Sequence, residues 1–364
     1  MQGSRLAVKA LRSRHSGAGA GKKAMKPPTN SHRATFATAV GELRAGRIER
    51  AAELCSAILA SAAGDPAVHQ LSATIALRQG RIADAERWAQ SSLELRPDFP
   101  PALIVAGRVA RAAGKLAQAT SWLRRATELA PERSEPAFLL CVMRVEQRDP
   151  EVNEMLEQLL RRFPNDANGW GEIGSSLRLA GRLEAAAAAF GRAAKASGDP
   201  THRHNLGTVL AALGRRDAAI AVFRDLIAAA PHLVDARLAL AMCLRQSGET
   251  EAARAELEIA AAAAPSDSRP WFALGLVRED LADLPGAILA YRKSVELQPD
   301  FPEAHVNLGL VLQQSGELDV AMKSYERAVR LRADAFGRVA QALTSAKTGQ
   351  LWLDLGRLRR SLGA

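Results

Sequence analysis

The chain has 364 residues, 48% of them hydrophobic and 24% charged, with a formal net charge of +10 and a pI near 10.0. That is enough apolar material for a large core, but no run of 18 or more apolar residues occurs, which excludes a membrane-spanning helix. Cys55, Cys141 and Cys243 lie far apart without a CxxC partner, which excludes a zinc ribbon or disulfide framework; they read as core or wall residues in a reducing, cytoplasmic setting.

The positive charge is concentrated at the ends. Arg5, Lys9, Arg12, Arg14, Lys22, Lys23, Lys26 and Arg33 carry eight charges, and no acidic residue precedes Glu42. Residues 1–31 therefore read as a basic, disordered tail in which "GAGAG" and "KPP" break any long helix, and Met25 is an alternative start. The tail lacks the apolar segment and cleavage site of a secretory signal. It also lacks an aromatic residue to stack on single-stranded bases, which argues against nucleic acid and leaves an anionic membrane surface open. From Arg330 onward, seven basic residues stand against Asp334 and Asp354. The body between the two ends is thus close to neutral, unlike a surface built to wrap nucleic acid.

From residue 32 onward three series of residues recur in phase. Small residues run Ala51, Ala85, Ala119, Val152, Ala186, Ala219, Ala253, Ala287 and Ala321, at intervals of 33 or 34. Gly46, Gly80, Gly114, Gly181, Gly214, Gly248 and Gly316 keep the same period, as do Pro97, Pro131, Pro164, Pro231, Pro265 and Pro299. Nine units follow, starting near 32, 66, 100, 133, 167, 200, 234, 268 and 302 and ending near 335. Each predicts a helical hairpin: the glycine ends the first helix by taking a left-handed conformation, and the proline stops the second. The unit from Arg133 departs from the pattern, with no glycine at the turn, "RDP" in its place and a register uncertain by one residue. That departure leaves an irregular step or an ordinary drifted unit as alternatives.

The units from Ser268 and Pro302 carry the pattern most fully. Trp271, Leu274, Gly275, Ala287, Tyr291 and Pro299 stand at positions 4, 7, 8, 20, 24 and 32, and Leu308, Gly309, Gly316, Ala321, Tyr325 and Ala328 repeat the frame. This resembles the tetratricopeptide repeat (TPR) family. The resemblance implies an all-α solenoid of helical hairpins whose first helices line a concave face.

Residues 336–364 read as a C-terminal segment that covers the open end of the last hairpin. Phe336, Val339, Ala340 and Leu343 recur at helical spacing. A second cluster of Leu351, Trp352, Leu353, Leu355, Leu358 and Leu362 faces away from Arg357, Arg359 and Arg360. It serves either as a packed cap or as a docking helix with Trp352 as anchor.

Signs of chemistry are absent. No HExxH, GxSxG, glycine-rich phosphate loop or isolated acid pair is found, and His202 to His204 only straddle a helix start. No catalytic residue, metal site or cofactor is expected, and the chain reads as a non-enzyme.

In the resembled family, positions 2, 5, 9, 12 and 13 of each first helix line the groove. That places Arg44 and Arg78 at position 13, Arg111, Arg144, Arg178 and Arg245 at position 12, and Arg108 at position 9, with His204 also facing the groove. Toward the C-terminus the same positions hold Asp235, Phe272, Glu279, Asp280, Glu303, Gln313 and Gln314, so the face should turn from basic to acidic. The arginines could fork onto an acidic partner segment, each desolvated pair contributing about 1 to 3 kcal/mol, or they are simply solvated charges. No unit has Asn at position 9, so the terminal-carboxylate clamp of some TPR domains is unsupported. Asn205 and Asn307 at position 6 resemble two rungs of the asparagine ladder in TPR arrays that accompany glycosyltransferases, without any transferase domain.

The expected function is therefore a protein-binding scaffold that holds an extended or helical partner segment in its groove. The alternative is a peripheral anchor to anionic membrane or nucleic acid through the basic termini. Self-association remains open.

Overall fold

The computed structural model describes residues 30–61, 64–345, 358–360 and 362–363. The tail at 1–29 and the stretch 346–357, with Leu351, Trp352, Leu353, Leu355 and Arg357, lie outside the described residues. Among the described residues the elements are all helical. The chain divides into two compact units at Leu140 and Cys141, inside one helix.

The first unit contains α1 (Asn30–Arg44), α2 (Ile48–Ser61), α3 (Pro66–Arg78), α4 (Ile82–Leu95), α5 (Pro100–Ala112), α6 (Leu116–Leu129) and the start of α7 (Glu135–Glu146). The second continues from α7 with α8 (Val152–Arg162), α9 (Ala167–Leu179), α10 (Leu183–Ala196), α11 (Pro200–Ala212), α12 (Arg216–Ala229), α13 (Val234–Gln246) and α14 (Thr250–Ala263). It closes with α15 (Ser268–Asp280), α16 (Leu284–Leu297), α17 (Pro302–Gln314), α18 (Leu318–Leu331) and α19 (Ala335–Ser345). Neighbouring helices pair as α1–α2, α3–α4 and α5–α6 in the first unit. In the second they pair as α9–α10, α11–α12, α13–α14, α15–α16 and α17–α18, with α19 against α17 and α18.

Local chemistry sets these boundaries. Asp65, Asp166, Asp199 and Asp267 cap α3, α9, α11 and α15 by accepting hydrogen bonds from backbone N–H groups in the first turn. Proline opens α3, α5, α11 and α17, where its missing N–H removes nothing from the helix. The first helices end on left-handed residues, such as Gly80 with φ 72°.

Two non-glycine residues share that conformation, Arg148 with φ 56° and Ala282 with φ 58°. A left-handed Cβ meets the following carbonyl, which costs roughly 1 to 2 kcal/mol. Ala282→Gly should therefore raise the urea midpoint by an amount equivalent to about 1 kcal/mol after the added freedom of the unfolded chain is subtracted. No change would show that the turn is held without strain.

Arg148 also fixes the register of the irregular unit. Elsewhere five residues separate the left-handed residue from the first fully buried residue of the second helix, as from Gly80 to Ala85; from Arg148 to Val152 there are four. That spacing is one shorter although the non-helical stretch is longer, 147–151 against 79–81, and α8 has 11 residues where its counterparts have 14.

In four hairpins of the second unit a glycine at position 8 faces a large ring at position 24. Gly174 faces Phe190, Gly207 faces Phe223, Gly275 faces Tyr291 and Gly309 faces Tyr325. Where position 8 is Ala241, position 24 is Leu257, both fully buried. At the far end Leu358 and Leu362 are fully buried in the cluster that contains Tyr325, Val339 and Leu343. The guanidinium of Arg359 lies 4.8 Å from the Phe336 ring centre.

Candidate functional site

The first helices of the hairpins present a stripe at spacing i, i+3, i+7, i+10, i+11, which keeps those side chains on one helix face. In the first unit this stripe carries Arg44, Arg78, Arg108 and Arg111. Arg44 is exposed. Arg78 reaches one hairpin back and donates at 2.8 Å to the Leu43 carbonyl, which also accepts from the Gly46 N–H at 3.3 Å at the end of α1. Arg108 pairs with Glu135 at 2.9 Å, and Arg111 is half-buried.

In the second unit Arg144 folds onto its own turn, 2.9 Å from Glu151 and 3.3 Å from Asp149. Arg245 forks onto Asp280 one hairpin on, with Nη2 at 3.2 Å from Oδ1. Arg178 is different: it is exposed and its side chain makes no ion pair or hydrogen bond among the described residues. The two asparagines also separate. Asn205 is half-buried. Asn307 is buried, with Nδ2 donating to the Tyr291 hydroxyl at 3.4 Å and Oδ1 accepting from Arg338 at 3.4 Å. His204 is half-buried with its ring 5.8 Å from Phe223, edge to face, while His202 is buried.

The expected acidic end of the face is largely compensated. Asp235 pairs with Arg269 at 2.8 Å, Asp280 with Arg245, and Glu303 with Arg332 at 2.6 Å. Sequence reading missed these partners because it took each residue alone; the signal was opposite charge one unit apart, at separations of 34 and 35 residues.

Glu279 joins a polar cluster, accepting from the Tyr291 hydroxyl at 3.0 Å. Burial raises its pKa above the ordinary carboxylate value despite that hydrogen bond, with Asp280 adding repulsion. The folded state thus favours the protonated acid, so this contribution is full below the unfolded carboxylate pKa and is lost as pH rises through the higher folded value. Glu279→Gln keeps an acceptor for Tyr291 and removes the charge. Its thermal midpoint should exceed the parent's at neutral pH, and the gap should close as pH falls through the carboxylate range. An advantage independent of pH would contradict this assignment.

The cysteines are free and buried; burial pushes Cys55 up to about 11, Cys141 up to about 12 and Cys243 in the same direction, so they are held as thiols. Among the described residues no group of three or more His, Cys, Asp or Glu is arranged to hold a metal, and no helix is long and apolar enough to cross a membrane.

Family models described as tetratricopeptide repeat match residues 71–134, 153–200, 210–275 and 302–334, and a TPR repeat model matches 280–316. Together they cover more than half of the chain. No curated protein matches. Among solved structures, MamA from Desulfovibrio magneticus RS-1, residues 41 to the end, is 25% identical over 46% of this chain and 96% of its own, with a TM-score of 0.43. YrrB, described as a TPR protein with an unusual peptide-binding site, is 16% identical over 59% and 95%, with a TM-score of 0.39. The APC/C hetero-tetramer Cut9–Hcn1 is 13% identical over 88% and 91%, with a TM-score of 0.44.

Proposed function

The chain belongs to the tetratricopeptide repeat family, and from that premise we propose that it is a non-enzymatic scaffold holding a segment of another protein against the first helices of its hairpins. TPR domains typically mediate protein–protein interaction; the finer reading concerns where and how. The observation that carries it is the division of labour among the arginines. Arg78, Arg108, Arg144 and Arg245 are engaged with neighbouring helices, turns or carboxylates of the chain itself. Arg178, at the repeat position that Arg144 and Arg245 occupy in the same second unit, stands exposed without such a partner among the described residues. An exposed guanidinium is planar and always charged, and it forks onto a carboxylate without first breaking an internal pair.

Affinity capture from the source cell tests this with the full chain, the chain from Met25 onward, and an Arg178→Glu variant of matched helical circular dichroism. The Arg178→Glu variant should recover at least tenfold less partner, and removal of the basic tail should leave recovery unchanged. Equal recovery by the Arg178→Glu variant would overturn the assignment. Loss on removal of the tail alone would favour the anchor reading instead.

A further inference from the structure

The second unit carries a stretch of this face whose chemistry differs from its arginines. The stripes of α13, α15 and α17 run Asp235, Leu238, Met242, Arg245; then Arg269, Phe272, Leu276, Glu279 and Asp280; then Glu303, Val306, Leu310, Gln313. Two ion pairs join α13 to α15, Asp235 with Arg269 at one end of the stripes and Arg245 with Asp280 at the other. Pairs at both ends fix the two stripes side by side and facing the same way. Between these brackets Leu238, Met242, Phe272 and Leu276 are half-buried, and Leu310 continues the row on α17. Phe272 is held from behind, its ring 4.7 Å from Phe301 and 5.8 Å from Tyr291.

The Asp235–Arg269 pair is too exposed to add much stability, its side chains being 64% and 59% accessible. The consequence of the two pairs here is electrostatic: the charges at the two ends of the α13 stripe, Asp235 and Arg245, each meet an opposite charge on α15, while Glu279 engages the Tyr291 hydroxyl. Discrimination at this stretch must therefore come from apolar contact. Toward α9 the composition changes to Asn168, Gly171, Ser175 and Arg178, and on α11 to Thr201, His204 and Thr208, where Arg178 is the uncompensated cation among these residues.

We propose that the row Leu238, Met242, Phe272, Leu276 and Leu310 receives bulky apolar side chains of a partner's amphipathic segment, oriented by a carboxylate on Arg178. This rests on the reading above that a partner segment lies on this face. With helix axes roughly 8 to 10 Å apart per step, the three steps from α9 to α15 suit a helical segment of about 20 residues, near 30 Å long, and about two further turns reach Leu310 on α17. Such a ligand is read by its apolar anchors, with charge setting its direction.

Fluorescence anisotropy with defined peptides tests this on the full chain. The probe is a labelled peptide of about 20 residues with leucines at i, i+3, i+4 and i+7 and glutamates at one end, synthesised in both directions. Its controls carry serine for leucine or lysine for glutamate. One direction should bind, and the serine peptide should bind at least tenfold more weakly. The double variant Leu238→Gln/Leu276→Gln should lose at least tenfold, whereas Leu289→Gln, an exposed leucine on the second helix of its hairpin, should lose nothing. If the glutamine pair unfolds, Met242→Lys decides, since its long stem tolerates the half-buried position.

Equal binding of the leucine and serine peptides, or absence of binding by both, would overturn the proposal. Affinity that responds to Arg178→Glu but to neither apolar variant would retain the face and overturn the apolar row. Affinity that responds to none of these variants would overturn both.

Discussion

Trp170→Ala should destabilise the second unit by about 4 kcal/mol, near the middle of the range for deleting a large buried ring. Trp170 is 2% exposed, its indole N–H donates to the Phe163 carbonyl at 3.0 Å, and the Arg192 guanidinium sits 5.2 Å from its ring. The decisive point is what surrounds it. Trp170 already borders a solvent-open pocket of about 140 Å³ lined by Leu156, Leu160, Leu177, Ala185, Ala188 and Ala189 among others. Three alanines cannot reach into the space an indole vacates, so the void should enlarge and not collapse. Trp170→Phe keeps most of the ring and loses the N–H bond, and should cost only about 1 to 2 kcal/mol. Urea unfolding followed by far-ultraviolet circular dichroism measures both, with hydrogen exchange across α8 to α10 to reveal partial unfolding, since hairpin arrays can open piecewise. A loss below about 1 kcal/mol for Trp170→Ala would mean that the neighbours do close the gap.

The helical hairpins were legible because three phased series had to agree: small residues where helices cross, glycine where the chain turns left-handed, and proline where a helix must stop. Where a series lapsed, the sequence lost resolution for a physical reason. Ala282 and Arg148 adopt the left-handed conformation at a cost, so absence of glycine did not mean absence of the turn. The irregular unit was ambiguous by one residue because the left-handed Arg148 and the buried Val152 stand one position closer together than in the other hairpins, so each landmark fits its own frame.

The candidate face was legible only in part. Helical spacing assigns Arg144, Arg178 and Arg245 to one position of the repeat, yet their surroundings diverge. Arg144 meets acids of its own turn, Arg245 meets Asp280 of the next hairpin, and Arg178 meets neither. A position in a repeat fixes which way a side chain leaves the helix. Whether its charge is available depends on a residue about 34 positions away, which a reading confined to one unit omits. Asn307 shows the same limit, because the Tyr291 hydroxyl and Arg338 that engage it come from the preceding hairpin and from α19.

The second large effect is expected at the position 8 and 24 contact of the last hairpin. A Cβ added at Gly309 would come within 2.4 Å of Tyr325 Cε1 and 2.6 Å of Cδ1. Tyr325 cannot swing aside: it is fully buried, and its hydroxyl donates to Gln313 Oε1 at 2.8 Å. Gly309→Ala should therefore cost about 3 kcal/mol, at the upper end for overpacking. Tyr325→Leu alone should also cost about 2 to 4 kcal/mol, through the lost ring and the unpaired Gln313. Combined, the two changes reproduce the Ala241 and Leu257 pair that the chain already accommodates two hairpins earlier, with both residues buried. The double variant should thus be more stable than the sum of the single losses by about 1 to 3 kcal/mol, a coupling that a double-mutant cycle in urea reads directly. Strict additivity would show that the glycine is required by the backbone of α17 and not by the ring it faces. Coupling of the expected sign would establish size complementarity at this contact as the reason aromatic residues occur at position 24 only where position 8 is glycine.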